Sequence, residues 1–282
     1  MQAQTERTPA PARWAELLQH AVNEPGTIAG AYSAFHPYSV GNQMLAMWQC
    51  GARGLQVGPI ATYPAWQSKG RQVRKGERAL TLCMPVTFKR ANKSAQNEQT
   101  EGEEGEQNDS YVSVFVYRPH WFALSQTEGK PGAPELAAPV LPDWDKARAL
   151  MSLGIVEEPF RMADGNCMGY ARTTARSVAV SPLAFNPHKT LVHELAHVLL
   201  HTGEQTDEGA LPRSLQEVEA ESVALIVCES LGLGELADCR GYIQSWLRGQ
   251  SIPDKSAQRI FGAADRIFKA GLAVSSSAQM AA

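Results

Sequence analysis

The stretch "HKTLVHELAHVLLHTG" (188–203) sets His193, Glu194, His197 and His201 among Leu191, Leu195, Val198, Leu199 and Leu200. A helix written this way is a buried one, and buried ionisable groups are costly unless they are paired or hold a metal. Asn186-Pro187 supplies a capping residue followed by proline at the first helical position, and Gly203 stands where a helix would stop. The spacing predicts a helix over 188–201. His193 and His197 are four apart, so their side chains share a face, about 5–6 Å apart at Cβ. Two imidazoles so placed can reach one tetrahedral ion. The run His193-Glu194-Leu195-Ala196-His197 is H-E-x-x-H, the helical zinc-protease pattern in which Glu194 serves as general base.

A catalytic zinc of this type needs a third protein ligand and an open position. His201 lies two turns beyond His193, about 12 Å along a helix axis. It cannot close the same site on a continuous helix, so it is expected to support the site or simply to be satisfied. The next helical stretch, "RSLQEVEAESVALIVCESLGL" (213–233), places Glu217, Ala220, Glu221, Ala224, Val227, Cys228 and Leu231 on one stripe. Glu217 and Glu221 stand at the centre of that stripe. Glu219 falls on the opposite side and is expected to be a solvated charge. Glu217 has a rival role, because Ser214-Leu215-Gln216-Glu217 fits a capping box; in that case Glu221 would take the metal.

H-E-x-x-H followed by E-x-x-A-E resembles the gluzincin arrangement of thermolysin-like peptidases. The resemblance implies that Glu217 is the third ligand and that Glu221 orients His193, the outer support that metal-bound histidines require. It implies zinc chemistry: a polarised scissile carbonyl, an acidified water, and Glu194 moving the proton to the leaving amine. Mn²⁺ or another divalent ion suits the same ligands. "NCMGYARTTARSVAVSPLAF" (166–185) reads as strands of a small sheet whose edge would hold an extended substrate. Tyr170, His188 and His201 are candidates for stabilising the oxyanion. The aromatics of the C-terminal helical stretches (Tyr242, Trp246, Phe261, Phe268) are expected in the core.

The rest of the chain bounds the context. Of its 282 residues, 44% are hydrophobic and 20% charged, with net charge −3, the composition of a globular protein. No apolar run is long enough to span a bilayer. The N-terminal "MQAQTERTPAPAR" lacks the apolar core of a signal peptide, so a cytoplasmic location without membrane contact is expected. Five cysteines without a C-x-x-C pair argue against a disulfide framework or a thiolate zinc cluster.

Residues 1–128 hold twelve Lys/Arg against eleven Asp/Glu. The segment "ANKSAQNEQTEGEEGEQNDS" (91–110) contributes one and six of these, leaving eleven against five. A basic domain thus carries an acidic insertion, read as a disordered loop between strands at 79–88 and 111–118. The Pro/Gly/Ala-rich stretch 127–143 reads as a boundary. The fold class expected is α+β in two domains. Residues 13–128 form a strand-binding domain with the long hairpin loop, 129–143 a linker, and 144–272 a zincin-like metallopeptidase domain of a small sheet, the H-E-x-x-H helix and the Glu helix. Residues 1–12 and 273–282 are expected to be disordered ends.

"ATYPAWQSKGRQVRKGERALTLCMPVTF" (61–88) interleaves aromatic and basic residues, which suits single-stranded nucleic acid but equally a solvated basic turn beside core aromatics. "HPYSVGNQ", "TYPAWQSKGRQVRKGE" and "WFALSQTEG" resemble successive signatures of ArdC-like antirestriction proteins, as do "EVEAESVALIVCESLGL" and "YIQSW…AQRIFGAADRIF". That resemblance implies a single-stranded-DNA-binding domain ahead of a zinc-peptidase domain, in a plasmid-borne protein that protects incoming conjugative DNA from restriction. Tyr38, Asn42, Trp48, Trp66, Lys69, Arg71, Arg74 and Lys75 are the residues expected to contribute to strand binding. The protein substrate is unidentified. Two alternatives stay open: a peptidase that cleaves one repressor-like partner, and a strand-binding protein whose metal site is structural.

Overall fold

Two side-chain amides on one helix hold the first part of the chain together. The computed structural model describes residues 10–89, 111–131, 140–162, 165–202, 211–234 and 236–273. It opens with α1 (Trp14–Asn23), α2 (Thr27–Phe35) and α3 (Val40–Ala52). These lead to β1 (Ile60–Thr62), α4 (Tyr63–Ser68), β2 (Arg71–Val73), β3 (Leu80–Lys89), β4 (Tyr111–Ala123) and β5 (Thr127–Gly129). The β-branched runs of β3 and β4 pair antiparallel from Leu80↔Trp121 to Lys89↔Tyr111, giving a sheet of order β1-β4-β3. That order leaves β3 at an edge, where unpaired backbone groups need partners. Asn42 and Gln49, two turns apart on α3, supply them. Asn42 Nδ2 donates to Cys83 O (2.9 Å) and its Oδ1 accepts from Cys83 N (2.8 Å). Gln49 makes the same pair of bonds to Thr81, at 2.8 and 2.9 Å.

β2 pairs with β5, Arg71 opposite Gly129, and Lys130 N still donates to Gly70 O. The first part therefore extends past the expected boundary at 128. Gly70 and Gly76, with φ of 69° and 91°, provide the left-handed turns on either side of the basic β2 segment. The acidic segment 91–110 lies outside the described residues, as do 1–9 and 274–282 of the expected disordered ends. Ala12, by contrast, is buried.

The second part runs α5 (Lys146–Leu153), β6 (Val156–Glu157), β7 (Gly169–Arg172), β8 (Ser177–Val180), α6 (Pro187–Leu200), α7 (Arg213–Leu231), α8 (Ala237–Leu247) and α9 (Asp254–Gly271). β7 and β6 flank β8, antiparallel and parallel to it, so β7 is an edge strand beside α6. α6 begins as its sequence dictates: Asn186 Oδ1 accepts from Lys189 N at 3.0 Å, with Pro187 at the first position. It ends at Leu200 with His201 as the capping residue; Gly203 is outside the described residues. Ser214 makes no capping box, because α7 starts at Arg213 after Pro212 and has no side-chain cap.

α7 is central. It packs on α6, α8, α9 and α2, and every residue from Val218 to Cys228 is buried. One apolar cluster joins Leu17, Phe35 and Leu45 to Leu195, Leu225, Ile260 and Phe268, so helices from both sides of segment 129–143 share a core. No helix among the described residues is long and apolar enough to cross a membrane.

Candidate metal centre

α6 presents His193 and His197 on the face that meets α7, and α7 presents Glu217 and Glu221 in return. The Nε2 atoms of the two histidines lie 3.1 Å apart. Glu217 Oε2 is 3.4 Å from His193 Nε2 and 3.6 Å from His197 Nε2. A tetrahedral ion with bonds of about 2.0–2.1 Å holds its donors about 3.4 Å from one another. The three separations fit one such ion, and the donor set of two imidazoles and a carboxylate fits Zn²⁺ or Mn²⁺. Among the described residues, this is the only cluster of three or more His, Cys, Asp or Glu with such geometry.

Behind this cluster, Glu221 Oε2 lies 2.8 Å from His193 Nδ1, and Lys189 Nζ lies 2.7 Å from Glu221 Oε1. Burial opposes the charge on Glu221, yet the hydrogen bonds from His193 and Lys189 hold its carboxyl at about 2. Glu217 is held at about 2 by its bond to His193. Burial and the adjacent His193 push His197 down to about 4. At His193, burial opposes the charged ring, but the two carboxylates lift it to about 9.

Glu194 is 8% exposed, and burial pushes its carboxyl up to about 7 against the pull of His193. The residue that touches it from the sheet is Gly169 at the start of β7. A Cβ there would fall 2.6 Å from Thr190 Cγ2 and 2.9 Å from Glu194 Oε1, so only glycine admits this approach.

Three expectations need correction. Glu219 is not solvated: it is wholly buried, and its Oε2 lies 2.9 Å from His201 Nε2. A single-stripe reading assumes one dry face, whereas α7 is surrounded. Tyr242 is not core: it is 46% exposed on α8, and its hydroxyl is raised by partial burial and by the charges of Glu217 and Glu221. Trp66 offers no face to a base, being 1% exposed with its Nε1 donating to Phe122 O at 2.8 Å.

The remaining strand-binding candidates divide. Asn42 is committed to β3. Tyr38 donates its hydroxyl to Ile60 O at 2.9 Å, and Trp48 is half-buried against the core. Arg71 donates to Thr127 Oγ1, and Arg74 pairs with Glu77 on an exposed turn. Lys69 and Lys75 are exposed. Of the oxyanion candidates, His188 is exposed at the start of α6, the ring of His201 is covered behind His197, and Tyr170 lies against Phe160 and Arg172. Sequence reading missed a groove of about 690 Å³ between β3–β4 and α9. Trp14, Phe115, Tyr117, Lys255 and Arg259 line it, and Phe115 is 73% exposed. Its walls come from α1, α3, β3, β4 and α9, which are far apart in the chain, so no local pattern announces it.

Fold and site together define a mixed α+β protein with a His-His-Glu cluster of metal-ligand geometry. Residues 11–117 match the family described as the N-terminal domain of anti-restriction factor ArdC. The Mn(II)-bound crystal structure of antirestriction protein ArdC from plasmid R388 superposes with a TM-score of 0.54 at 18% identity, covering 91% of this chain and 97% of that one. Its metal-free form gives 0.50 at 20% identity, covering 91% and 94%. At these identities the likeness is one of fold. The uncharacterized protein y4eC of Sinorhizobium fredii is 28% identical over 244 residues, 80% of this chain and 74% of that protein.

Proposed function

We propose that this protein is an antirestriction factor that binds single-stranded DNA and carries a divalent-metal-dependent peptidase site, with zinc as the resident ion. The observation that supports it most is the 3.1, 3.4 and 3.6 Å triangle of His193, His197 and Glu217, with Glu194 on the next position of the same helix. Three protein ligands leave a position open, as catalytic sites do and structural zinc sites do not. The ion would supply Lewis acidity toward a carbonyl and lower the pKa of water. Glu194 is the proton acceptor, and burial gives it the basicity that work near neutral pH requires. Gly169 lets the edge strand β7 lie against Glu194, and that edge can hold an extended peptide by strand addition. The Mn(II) bound to the R388 protein supports a divalent ion as the occupant.

Strand binding draws on Lys69, Arg74 and Lys75 at the surface and on the groove, where Phe115 can stack a base beside Lys255. The test compares wild type with Glu194→Gln. Hydrolysis of a peptide library should vanish in the variant while metal and DNA binding persist. If protection of conjugated DNA from restriction survives that change, the peptidase is not what protects; if the wild type cleaves nothing, the peptidase assignment is wrong.

A further inference from the structure

His197 is backed by a second chain of hydrogen bonds, distinct from the Lys189–Glu221–His193 chain. His197 Nδ1 lies 2.9 Å from His201 Nδ1, and His201 Nε2 lies 2.9 Å from Glu219 Oε2. Arg259 closes it: its Nη2 is 3.6 Å from the same carboxylate oxygen and donates to Leu200 O at the end of α6. The side chain of His201 is 6% exposed and that of Glu219 is not exposed at all.

With Glu219 ionised and His201 neutral, the placement of protons along this chain follows. A carboxylate only accepts, so His201 Nε2 must carry the proton facing Glu219. His201 Nδ1 is then the acceptor, and the proton between the two rings sits on His197 Nδ1. His197 Nε2 is left as a bare lone pair aimed at Glu217 and His193. Each link thus turns His197 toward metal binding and fixes its tautomer, the task Glu221 performs for His193.

A purely structural role does not account for Glu219. A buried carboxylate in a helix interior is worth less to stability than an apolar residue of similar volume. Oε1 of Glu219 has no hydrogen-bond partner among the described residues, so packing alone would favour leucine or methionine there. Arg259 offsets this charge from one side at 3.6 Å, and a cation bound at the far end of the chain would offset it from the other.

We propose that His201 and Glu219 are positioning residues that orient His197 as a metal ligand, with Arg259 anchoring the carboxylate. The proposal rests on the reading of His193, His197 and Glu217 as a metal centre. Like other outer partners of metal ligands, they should contribute about 10–100-fold to affinity.

The experiment measures Co(II) and Zn(II) affinity of the full chain by chelator competition, with the visible spectrum of bound Co(II) as a second readout. Glu219→Gln keeps the shape and removes the charge; His201→Asn breaks the same chain beyond the end of α6 and carries the test should Glu219→Gln not fold. Both should weaken Co(II) and Zn(II) by about 10–100-fold and shift the Co(II) bands. Wild-type affinity and an unshifted spectrum in a folded variant, even with a lower Tm, would overturn the proposal. His193→Ala in the same assay separates the two levels. If it alone loses Co(II), the metal centre stands and only the positioning role falls; if the wild type takes up no Co(II), both fall.

Discussion

His193 and His197 face each other nitrogen to nitrogen, their Nε2 atoms 3.1 Å apart. Nδ1 of each ring is engaged behind, by Glu221 in one case and His201 in the other. With one proton on each Nδ1, the facing Nε2 atoms are both acceptors, the arrangement that a shared metal ion would bridge. Glu217 adds a third acceptor on the same side. The pair is built to be bridged.

Glu217→Ala therefore removes one of three donors while leaving the histidine pair and its supports intact. Divalent-ion affinity should fall by more than about 100-fold, beyond the range that losing an outer partner gives. Competition against a fluorescent chelator measures this directly. An affinity within threefold of wild type would move the ligand role to Glu221.

Gly169→Ala tests the contact between β7 and Glu194. The new methyl would collide with Thr190 and Glu194, costing about 1–3 kcal/mol in thermal or denaturant unfolding. Displacing Glu194 should lower peptide hydrolysis by more than it lowers ion content. Unchanged hydrolysis with unchanged stability would mean that the strand does not set the position of Glu194.

Asn42 and Gln49 should behave as structural residues. Asn42→Ala and Gln49→Ala each strip two hydrogen bonds from the β3 edge and should each cost about 1–3 kcal/mol, read by chemical denaturation. The salt dependence of strand binding should be unaffected in either variant. A variant of normal stability that fails to bind DNA would restore Asn42 to the interface.

Lys69→Ala and Lys75→Ala, on the exposed turns beside β2, should do the reverse. Removing one lysine–phosphate ion pair reduces the slope of log K against log salt by about 0.7 on single strands, with Tm unchanged. Phe115→Ala should weaken binding with no change in slope, since stacking releases no counterion; a cost of about 1–3 kcal/mol per unstacked base is usual. Titrations at several salt concentrations decide both.

How much of this could be read from sequence follows from how local each relationship is. The i, i+4 spacing of His193 and His197 and that of Glu217 and Glu221 are properties of a helix, so the cluster was legible once the two helices were recognised. Asn186 and Pro187 marked the start of α6 by local chemistry, whereas the stop at Gly232 fell inside the stretch read as helix. Glu219 was not legible because its environment depends on what surrounds α7 on all sides, and no periodicity within 213–233 reports that. Asn42 and Trp66 stand in motifs with a nucleic-acid flavour, yet their partners, Cys83 and Phe122, are tens of residues away. α2 gives a faint signal because Gly26 caps it with no side chain and Gly30 interrupts its apolar face.

Elemental analysis of purified protein, wild type beside His193→Ala, bears most directly on the metal centre. Wild type is expected to hold close to one equivalent of zinc or another divalent ion per chain after desalting, and His193→Ala essentially none, with both proteins folded. Equal ion content in the two, or no ion in a folded wild type supplied with zinc and manganese, would contradict a metal centre at His193, His197 and Glu217.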